Sequence, residues 1–247
     1  MVESPDVVVL CGGFGLRLRG LVGETPKPMA AICGRPFMEL LLKQLRRHGF
    51  SRVILSVGYK HEVIREYFGD GAFGLDLVYS TEMSPLGTGG ALRQALDHIV
   101  TDDVVVLNGD SYTNANLDAL VANHRMSNSV ATVVVIADSR PDAGSVVVHK
   151  NGKLKNFAEK RLVPDARYLS AGIYVLDKHL ISDIPLGRKI SLEEELFPQW
   201  LAEGQDIQTF VYDGQCIDIG TPERYQKAQE ILNKVEMENI FKCEAQS

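Results

Sequence analysis

The chain has 247 residues, with 26 Lys and Arg against 32 Asp and Glu, which gives a formal net charge of −6 at neutral pH. This length suits one large α/β domain or two small ones, and a composition of 45% hydrophobic and 23% charged residues excludes a disordered or fibrous protein. The negative charge argues against nucleic acid as a partner, and no apolar run approaches the roughly 20 residues that span a membrane.

The N-terminus and the cysteines indicate a cytoplasmic protein. The first residues are acidic and lack the basic region of a secretory signal. Cys11, Cys33, Cys216 and Cys243 are scattered without metal-ligand spacing, so reduced thiols are expected. The six histidines are equally dispersed, and we expect them to be structural or surface residues.

Short β-branched runs alternate with stretches of helical periodicity in the first half of the chain. Strands are predicted at residues 7–11, 52–57, 75–79 and 104–107, and helices at residues 36–48, 61–68 and 90–99. This alternation predicts an α/β fold of the Rossmann-like kind, a three-layer α/β/α sandwich around a mixed, mostly parallel central sheet.

Beyond residue 130 the pattern becomes β-rich. Strands are predicted at residues 130–136, 145–149, 154–159, 173–176, 207–211 and 216–219, with a helix at 191–203. Ser191 is the expected N-cap of that helix, and Glu194 completes a capping box. Thr221 and Pro222 begin a last helix that ends at about residue 241. We expect one domain over residues 1–247, because no linker or repeat interrupts it.

A glycine-rich loop follows the first predicted strand, in the order Gly12-Gly13-Phe14-Gly15-Leu16-Arg17-Leu18. Glycines after a strand of an α/β sheet let backbone N–H groups approach phosphate oxygens. A dinucleotide fingerprint needs glycine where Leu18 stands, and a Walker A loop needs a terminal GK[ST], which is missing. Arg17, together with Lys27 held between two prolines, predicts phosphate binding.

Two aspartates follow predicted strands that are more than a hundred residues apart. Asp110 stands in Asn108-Gly109-Asp110-Ser111, and Asp218 in Ile217-Asp218-Ile219-Gly220. Each alone is as well explained by a turn or a helix cap. Carboxylates at two strand ends can instead converge on Mg²⁺, which prefers oxygen ligands.

The glycine loop, followed by Pro26-Lys27-Pro28-Met29, resembles the signature of sugar-1-phosphate nucleotidyltransferases, which transfer a nucleoside monophosphate from an NTP to a sugar 1-phosphate and release pyrophosphate. The resemblance implies the nucleotide-diphospho-sugar transferase fold. It implies that Arg17 stabilises the departing pyrophosphate, that Lys27 contacts the α-phosphate, and that Asp110 and Asp218 bind Mg²⁺, with Asp110 also catalytic. The family usually has Thr or Ser where this chain has Leu16.

The same resemblance assigns binding residues to two halves. In a nucleotide-binding half, at about residues 1–130, it names Cys11, Gly12, Gly13, Gly15, Glu82, Leu86, Gly87, Thr88, Asn108 and Gly109. Glu82 is a candidate acceptor for the N–H donors of guanine. In a sugar-phosphate half, at about residues 131–220, it names Gly144, Glu159, Lys160 and Gly172. Ala171 replaces the family's usual asparagine. The helix at about 221–241 completes the domain.

The motifs most resemble those of D-glycero-D-manno-heptose 1-phosphate guanylyltransferases, which make GDP-heptose for bacterial surface glycans such as capsule. The implied partners are GTP and a sugar 1-phosphate. N-acetylmuramate 1-phosphate uridylyltransferases, mannose 1-phosphate guanylyltransferases and a non-catalytic regulatory relative are the alternatives. The sequence carries no signature of oligomeric state, so monomer and homodimer both stay open.

Overall fold

The computed structural model describes residues 4–13, 15, 17–137, 145–159 and 166–244, with side chains as far as residue 233. The strands are β1 (Asp6–Cys11), β2 (Ala31–Ile32), β3 (Arg35–Pro36), β4 (Arg52–Val57), β5 (Gly71–Ala72), β6 (Leu75–Thr81), β7 (Asp103–Asn108), β8 (Ser111–Thr113), β9 (Ala131–Ala137), β10 (Ser145–Val148), β11 (Leu154–Ala158), β12 (Tyr168–Asp177), β13 (Ile207–Tyr212) and β14 (Cys216–Asp218).

The α-helices are α1 (Arg19–Val22), α2 (Phe37–Arg47), α3 (His61–Phe68), α4 (Gly87–Ala95), α5 (Leu117–Ser127), α6 (Lys178–Ser182), α7 (Phe197–Ala202) and α8 (Pro222–Glu244). Short 3₁₀ turns lie at Lys27–Met29 and Leu96–His98, and a π-helical segment at Leu192–Leu196 precedes α7. Within the described part of the chain, every helix is too short or too polar to cross a membrane.

Ten of the described strands form one mixed sheet, whose path runs β11-β10-β12-β7-β1-β4-β6-β5, with β9 joined to β12 and β13 to β9. Its centre, β7-β1-β4-β6, is parallel. The long strand β12 lies antiparallel to both β7 and β9 and so joins the second half of the chain to the first. Since β4 lies on one side of β1 and β7 on the other, the winding direction reverses at β1, where α/β sheets bind ligands.

Side chains of the buried strands alternate between two apolar cores, one on each face of the sheet. Val7 and Val9 belong to the core covered by α2, α3, α5 and α8, whereas Val8 belongs to the core covered by α4, α6 and α7. Alternation of this kind is the period of a β-strand buried on both faces. The predicted three-layer α/β/α sandwich with a mixed, mostly parallel central sheet is therefore confirmed.

Some element boundaries differ from the predictions. The helix expected at residues 90–99 begins at Gly87 and continues past Ala95 as a 3₁₀ turn. Ser191 caps its helix as expected, accepting from the Glu194 N–H at 3.0 Å. In the second hydrogen bond of the capping box, the Ser191 N–H donates to Oε1 of Glu195 at 2.9 Å and not to Glu194. The first turn is π-helical, which brings the side chain one residue later over the Ser191 N–H.

Helix α5 is absent from the predicted elements, although its signal is present in the sequence. The Asn116 side chain accepts from the Ala119 N–H at 3.0 Å and so caps the helix. Leu117, Leu120 and Val121 follow at helical spacing and are buried against the sheet.

Candidate functional site

The carboxyl ends of the four central parallel strands meet at one edge of the sheet. Gly12 follows β1, Gly58 follows β4, Glu82 follows β6, and Gly109 follows β7. The first cavity, of about 570 Å³, opens at this edge. Its lining consists of Leu10, Cys11, Gly12, Gly13, Gly15, Arg17, Lys27, Pro28, Glu82, Pro85, Gly87, Thr88, Ala91, Asn108, Gly109, Asp110, Lys189 and Gly220.

The glycine loop is held close to its neighbours. A Cβ on Gly12 would lie 2.2 Å from Oε1 of Glu82, so any larger residue there would displace that carboxylate. The Gly109 N–H donates to the Leu10 carbonyl at 2.9 Å and joins the loop after β7 to the end of β1. Leu18 is fully buried and anchors the loop, whereas the adjacent Arg17 is exposed and lines the cavity. Leu16 and Phe14 lie outside the described residues.

Lys27 and Asp110 form an ion pair at the floor of the first cavity. Lys27 begins a 3₁₀ turn, and its Nζ donates to Oδ2 of Asp110. Burial alone would raise the pKa of the Asp110 carboxyl, but the Lys27 charge and hydrogen bonds from Lys27 and Ser111 hold that pKa below its usual value. Asp110 is therefore an anion at neutral pH.

Asp218 lies beside Asp110 because of a two-stranded ladder. β14 pairs antiparallel with β8, which sets Asp218 opposite Ser111, and the Ile219 N–H donates to the Asp110 carbonyl at 3.0 Å. Oδ1 of Asp218 accepts from Nη1 of Arg224 at 3.0 Å and from the Gly220 N–H at 3.1 Å. Each carboxylate thus has a cationic partner, and together they present the oxygen donors that suit Mg²⁺.

Glu82 is a half-buried carboxylate that also lines the first cavity. Burial raises its pKa, and the hydrogen bond from the Leu86 N–H to Oε2, at 2.8 Å, opposes that rise. Leu86 itself is buried and does not line the cavity. Burial and the nearby Glu82 also raise the pKa of the Cys11 thiol, which consequently stays protonated at neutral pH.

The loop that enters α4 is fixed against the segment before the π-helix. Gly87 has φ +70°, and a Cβ there would lie 2.5 Å from the Ile190 carbonyl. The Ile190 N–H donates to the Leu86 carbonyl at 2.9 Å. The Thr88 hydroxyl donates to Oε2 of Glu193 at 2.5 Å and accepts from the Leu192 N–H at 2.8 Å. The Thr88 side chain is therefore engaged within the protein.

The second cavity, of about 410 Å³, adjoins the first. Its lining consists of Arg17, Gly87, Thr88, Asn108, Asp110, Ser111, Glu159, Ser170, Ala171, Gly172, Tyr174, Ser191, Glu193, Glu194, Cys216, Asp218, Gly220 and Arg224. Glu159 and Gly172, which the resemblance assigns to sugar-phosphate binding, line this cavity together with Asp218. The predicted residues Gly144 and Lys160 lie outside the described residues.

The two cavities share one wall, made of Arg17, Gly87, Thr88, Asn108, Asp110 and Gly220. Asn108 lies at this junction, where a Cβ on Gly172 would come within 2.7 Å of its Nδ2. Its buried Oδ1 has no hydrogen-bond partner among the described residues. A buried acceptor of this kind favours a ligand that donates a hydrogen bond at the junction.

Several lining residues are absent from the sequence predictions, chiefly Lys189, Glu193 and Arg224. Arg224 had a usable signal, since it lies in the first turn of the helix that follows Asp218. Glu193 had none, because an acidic run at a helix start is usually solvated, yet this side chain is 8% exposed and also accepts from the Tyr174 hydroxyl at 3.2 Å.

Known proteins are similar to this chain in sequence and in architecture. Residues 6–235 match the family described as Nucleotidyl transferase. The chain belongs to this family. It is 33% identical over 227 residues to the D-glycero-alpha-D-manno-heptose 1-phosphate guanylyltransferase of Aneurinibacillus thermoaerophilus, an alignment that covers 92% of this chain and 98% of that protein. It is 36% identical to the Campylobacter jejuni protein of the same name, covering 89% of this chain and 96% of that one.

Further known proteins are also similar to this chain. The mannose-1-phosphate guanylyltransferase of Mycobacterium tuberculosis is 39% identical over 89% of this chain, which spans 62% of that relative's length. HddC from Yersinia pseudotuberculosis, solved as a complex with GMP-PN, superposes with a TM-score of 0.80 at 31% identity, covering 93% of this chain and all of that one. A putative glucose-1-phosphate thymidylyltransferase from Bacillus anthracis, at 20% identity and a TM-score of 0.83, covers 92% of this chain and 95% of that one and shares the fold.

Proposed function

We propose that the chain transfers GMP from GTP to D-glycero-α-D-manno-heptose 1-phosphate, giving GDP-heptose and pyrophosphate for a bacterial surface polysaccharide such as capsule, S-layer glycan or O-antigen. The observation that supports transfer is the pair of cavities that meet at Arg17, Asn108 and Asp110. The identity of 33–36% to heptose 1-phosphate guanylyltransferases over nearly their full length supports the substrate pair.

The first cavity is the GTP site in this proposal. The N–H groups of the glycine loop face the β- and γ-phosphates, and Arg17 meets the pyrophosphate that leaves. Glu82 accepts from N1–H and N2–H₂ of guanine, since a carboxylate is complementary to two adjacent donors. The second cavity then takes the sugar phosphate, with Glu159 facing sugar hydroxyls and Lys160 the phosphate.

Asp110 and Asp218 fit a divalent ion, because they present carboxylate oxygens from adjacent strand ends toward the wall shared by the two cavities. Mg²⁺ bound there would neutralise part of the negative charge of the phosphates. Lys27, now paired with Asp110, lies in reach of the same junction and contacts the α-phosphate. These residues align the two substrates and stabilise the charge of the transition state.

The reaction needs no protein nucleophile. A phosphate oxygen of the sugar phosphate attacks the α-phosphorus, and the bond from that phosphorus to the pyrophosphate oxygen breaks on the opposite side. Cys11 is the cysteine that lines the first cavity, and its raised pKa keeps it as a protonated thiol, which is a poor nucleophile. Direct in-line transfer between two bound substrates is therefore the mechanism that the site favours.

Mannose 1-phosphate is the second candidate acceptor, supported by the 39% identity to the Mycobacterium tuberculosis enzyme. The test is to compare kcat/KM for heptose and mannose 1-phosphates at fixed GTP and Mg²⁺. A higher kcat/KM for heptose supports the proposal. A higher kcat/KM for mannose 1-phosphate would support the same reaction with mannose 1-phosphate as the acceptor. No turnover with any sugar phosphate or NTP would indicate a non-catalytic relative.

A further inference from the structure

A cluster of possible metal ligands lies at the other end of β7 from the two cavities. Asp103 begins β7 and Asn108 ends it, so at about 3.3 Å per residue the cluster is roughly 16 Å from the junction. Asp103 and Asp177 stand directly opposite each other in the ladder of β7 and β12. Like charges at such a cross-strand position destabilise a sheet. Arg125 pairs with Asp103 at 2.6 Å, and a cation placed between the two carboxylates would stabilise Asp177 as well.

His124 of α5 covers this acidic pair. Its side chain is 2% exposed, and its Nδ1 lies 2.9 Å from the Thr132 hydroxyl on β9. That contact directs Nε2 at the two carboxylates, 3.5 Å from Oδ1 of Asp177 and 3.8 Å from Oδ1 of Asp103. The three side chains each offer one ligand atom, and these atoms lie within 4.8 Å of one another. The three residues belong to separate elements far apart in the chain, so no local sequence motif predicts this group.

The separations leave room for an ion between Nε2 of His124 and the two carboxylates, since the three ligand atoms lie within 4.8 Å of one another. Ligand atoms around a tetrahedral ion with bonds of 2.0–2.1 Å are about 3.3 Å apart, within a few tenths of an ångström of the distances from Nε2. An imidazole among the ligands favours Zn²⁺ and its neighbours over Mg²⁺. Metal-binding histidines are usually held through their other ring nitrogen, as Thr132 holds His124. Arg125 donates to Oδ2 of Asp103 at 2.6 Å and leaves Oδ1 for the ion.

We propose that Asp103, His124 and Asp177 bind a divalent transition-metal ion of the Zn²⁺ type, which ties α5 to the ends of β7 and β12. The Asp177 side chain is 36% exposed, so an ion enters from solvent and a water molecule completes its coordination. The site is separate from the transfer reaction, because the cavities of that reaction lie at the opposite edge of the sheet.

The test uses Zn²⁺ as the probe and the intact chain. Zn²⁺ is titrated calorimetrically in excess Mg²⁺, which occupies the Asp110–Asp218 pair, and Tm is measured with and without Zn²⁺. We expect one Zn²⁺ per chain and a rise in Tm of about 5–10 °C at a hundredfold excess over Kd. Co²⁺ in place of Zn²⁺ should give the visible absorption of a tetrahedral site.

Asp177→Asn and His124→Gln should each weaken Zn²⁺ binding by at least about tenfold and abolish the rise in Tm. Asp118→Asn is the matched control, since Asp118 is an exposed carboxylate on the same helix that pairs with His48, and it should bind as the wild type does. Asp177 is partly exposed, so its variant keeps the test decisive if His124→Gln does not fold. Equal Zn²⁺ affinity in wild type and Asp177→Asn, or no effect of Zn²⁺ on Tm, would overturn the proposal and leave a metal-free cluster.

Discussion

Arg17 is the exposed cation on the wall between the two cavities, and it follows a loop anchored by Leu18. Loss of one preorganised positive group at a developing charge costs about 10²–10³ in kcat. We therefore expect Arg17→Ala to lower kcat by that factor with little change in Tm. Arg19→Ala is the matched control, because Arg19 pairs with Glu24 outside both cavities. Near wild-type kcat in Arg17→Ala, measured by pyrophosphate release, would contradict the role given to Arg17.

Glu82 has a raised pKa, and its charge state predicts a pH dependence of GTP binding. Above that raised pKa the carboxylate is charged and accepts from guanine. As the pH falls through it, Glu82 becomes protonated, loses an acceptor, and KM for GTP rises. Glu82→Gln should raise KM for GTP by about tenfold or more and remove this acid limb.

The measurement for Glu82 is KM for GTP from mildly acidic to neutral pH. Glu66→Gln, a change at an exposed glutamate of α3, is the control and should keep the wild-type profile. An acid limb that persists unchanged in Glu82→Gln would assign the titration to another group.

At the scale of elements, the entry of α4 depends on its contact with the segment before the π-helix. Gly87 and Gly204 both have positive φ, but a Cβ would meet the Ile190 carbonyl only at Gly87, while nothing lies within 4 Å at Gly204. A Cβ at positive φ costs about 1–2 kcal/mol by itself. Gly204→Ala should lower the free energy of unfolding by about that amount, and Gly87→Ala by clearly more. Equal losses in chemical denaturation would show that the contact with Ile190 is unimportant.

Helices and strands were predicted correctly where hydrophobic periodicity specifies them. Structure that depends on contacts between distant parts of the chain was not predicted. The helix at residues 61–68 and the strand at 52–57 have their predicted bounds, because buried apolar side chains at fixed spacing specify them. The pairing of β14 with β8 has no local signal, yet it alone places Asp218 beside Asp110. The sequence therefore names, through family motifs, the two carboxylates proposed to bind metal, but not the ladder that joins them.

In the candidate site, too, residues in short motifs could be predicted and residues joined by distant contacts could not. The glycines and Arg17 of the loop after β1, and Lys27 of the following 3₁₀ turn, could be predicted, since short motifs carry them. Glu193 joins Thr88 to Tyr174 through hydrogen bonds between separate elements, and such networks arise only when the chain is folded. The group of Asp103, His124 and Asp177 is hidden from the sequence for the same reason.

For the molecule as a whole, we expect Mg²⁺ to serve the reaction and not the fold. Lys27 pairs with Asp110 and Arg224 with Asp218, so both carboxylates keep a cationic partner when Mg²⁺ is absent. Omitting Mg²⁺ should stop turnover and leave Tm within about 2 °C of its value with Mg²⁺. Unfolding on omission of Mg²⁺, followed by circular dichroism, would instead make the ion structural.

We expect GMP to pass from GTP to a sugar phosphate at the wall shared by the two cavities. The most direct measurement follows radiolabel from α-labelled and γ-labelled GTP in the presence of heptose 1-phosphate and Mg²⁺. We predict that the α-label enters the nucleotide sugar and the γ-label enters pyrophosphate, and that Arg17→Ala slows both equally. Release of γ-label as inorganic phosphate, or an α-label that stays in free GMP or GDP, would contradict the transfer of GMP from GTP to the sugar phosphate.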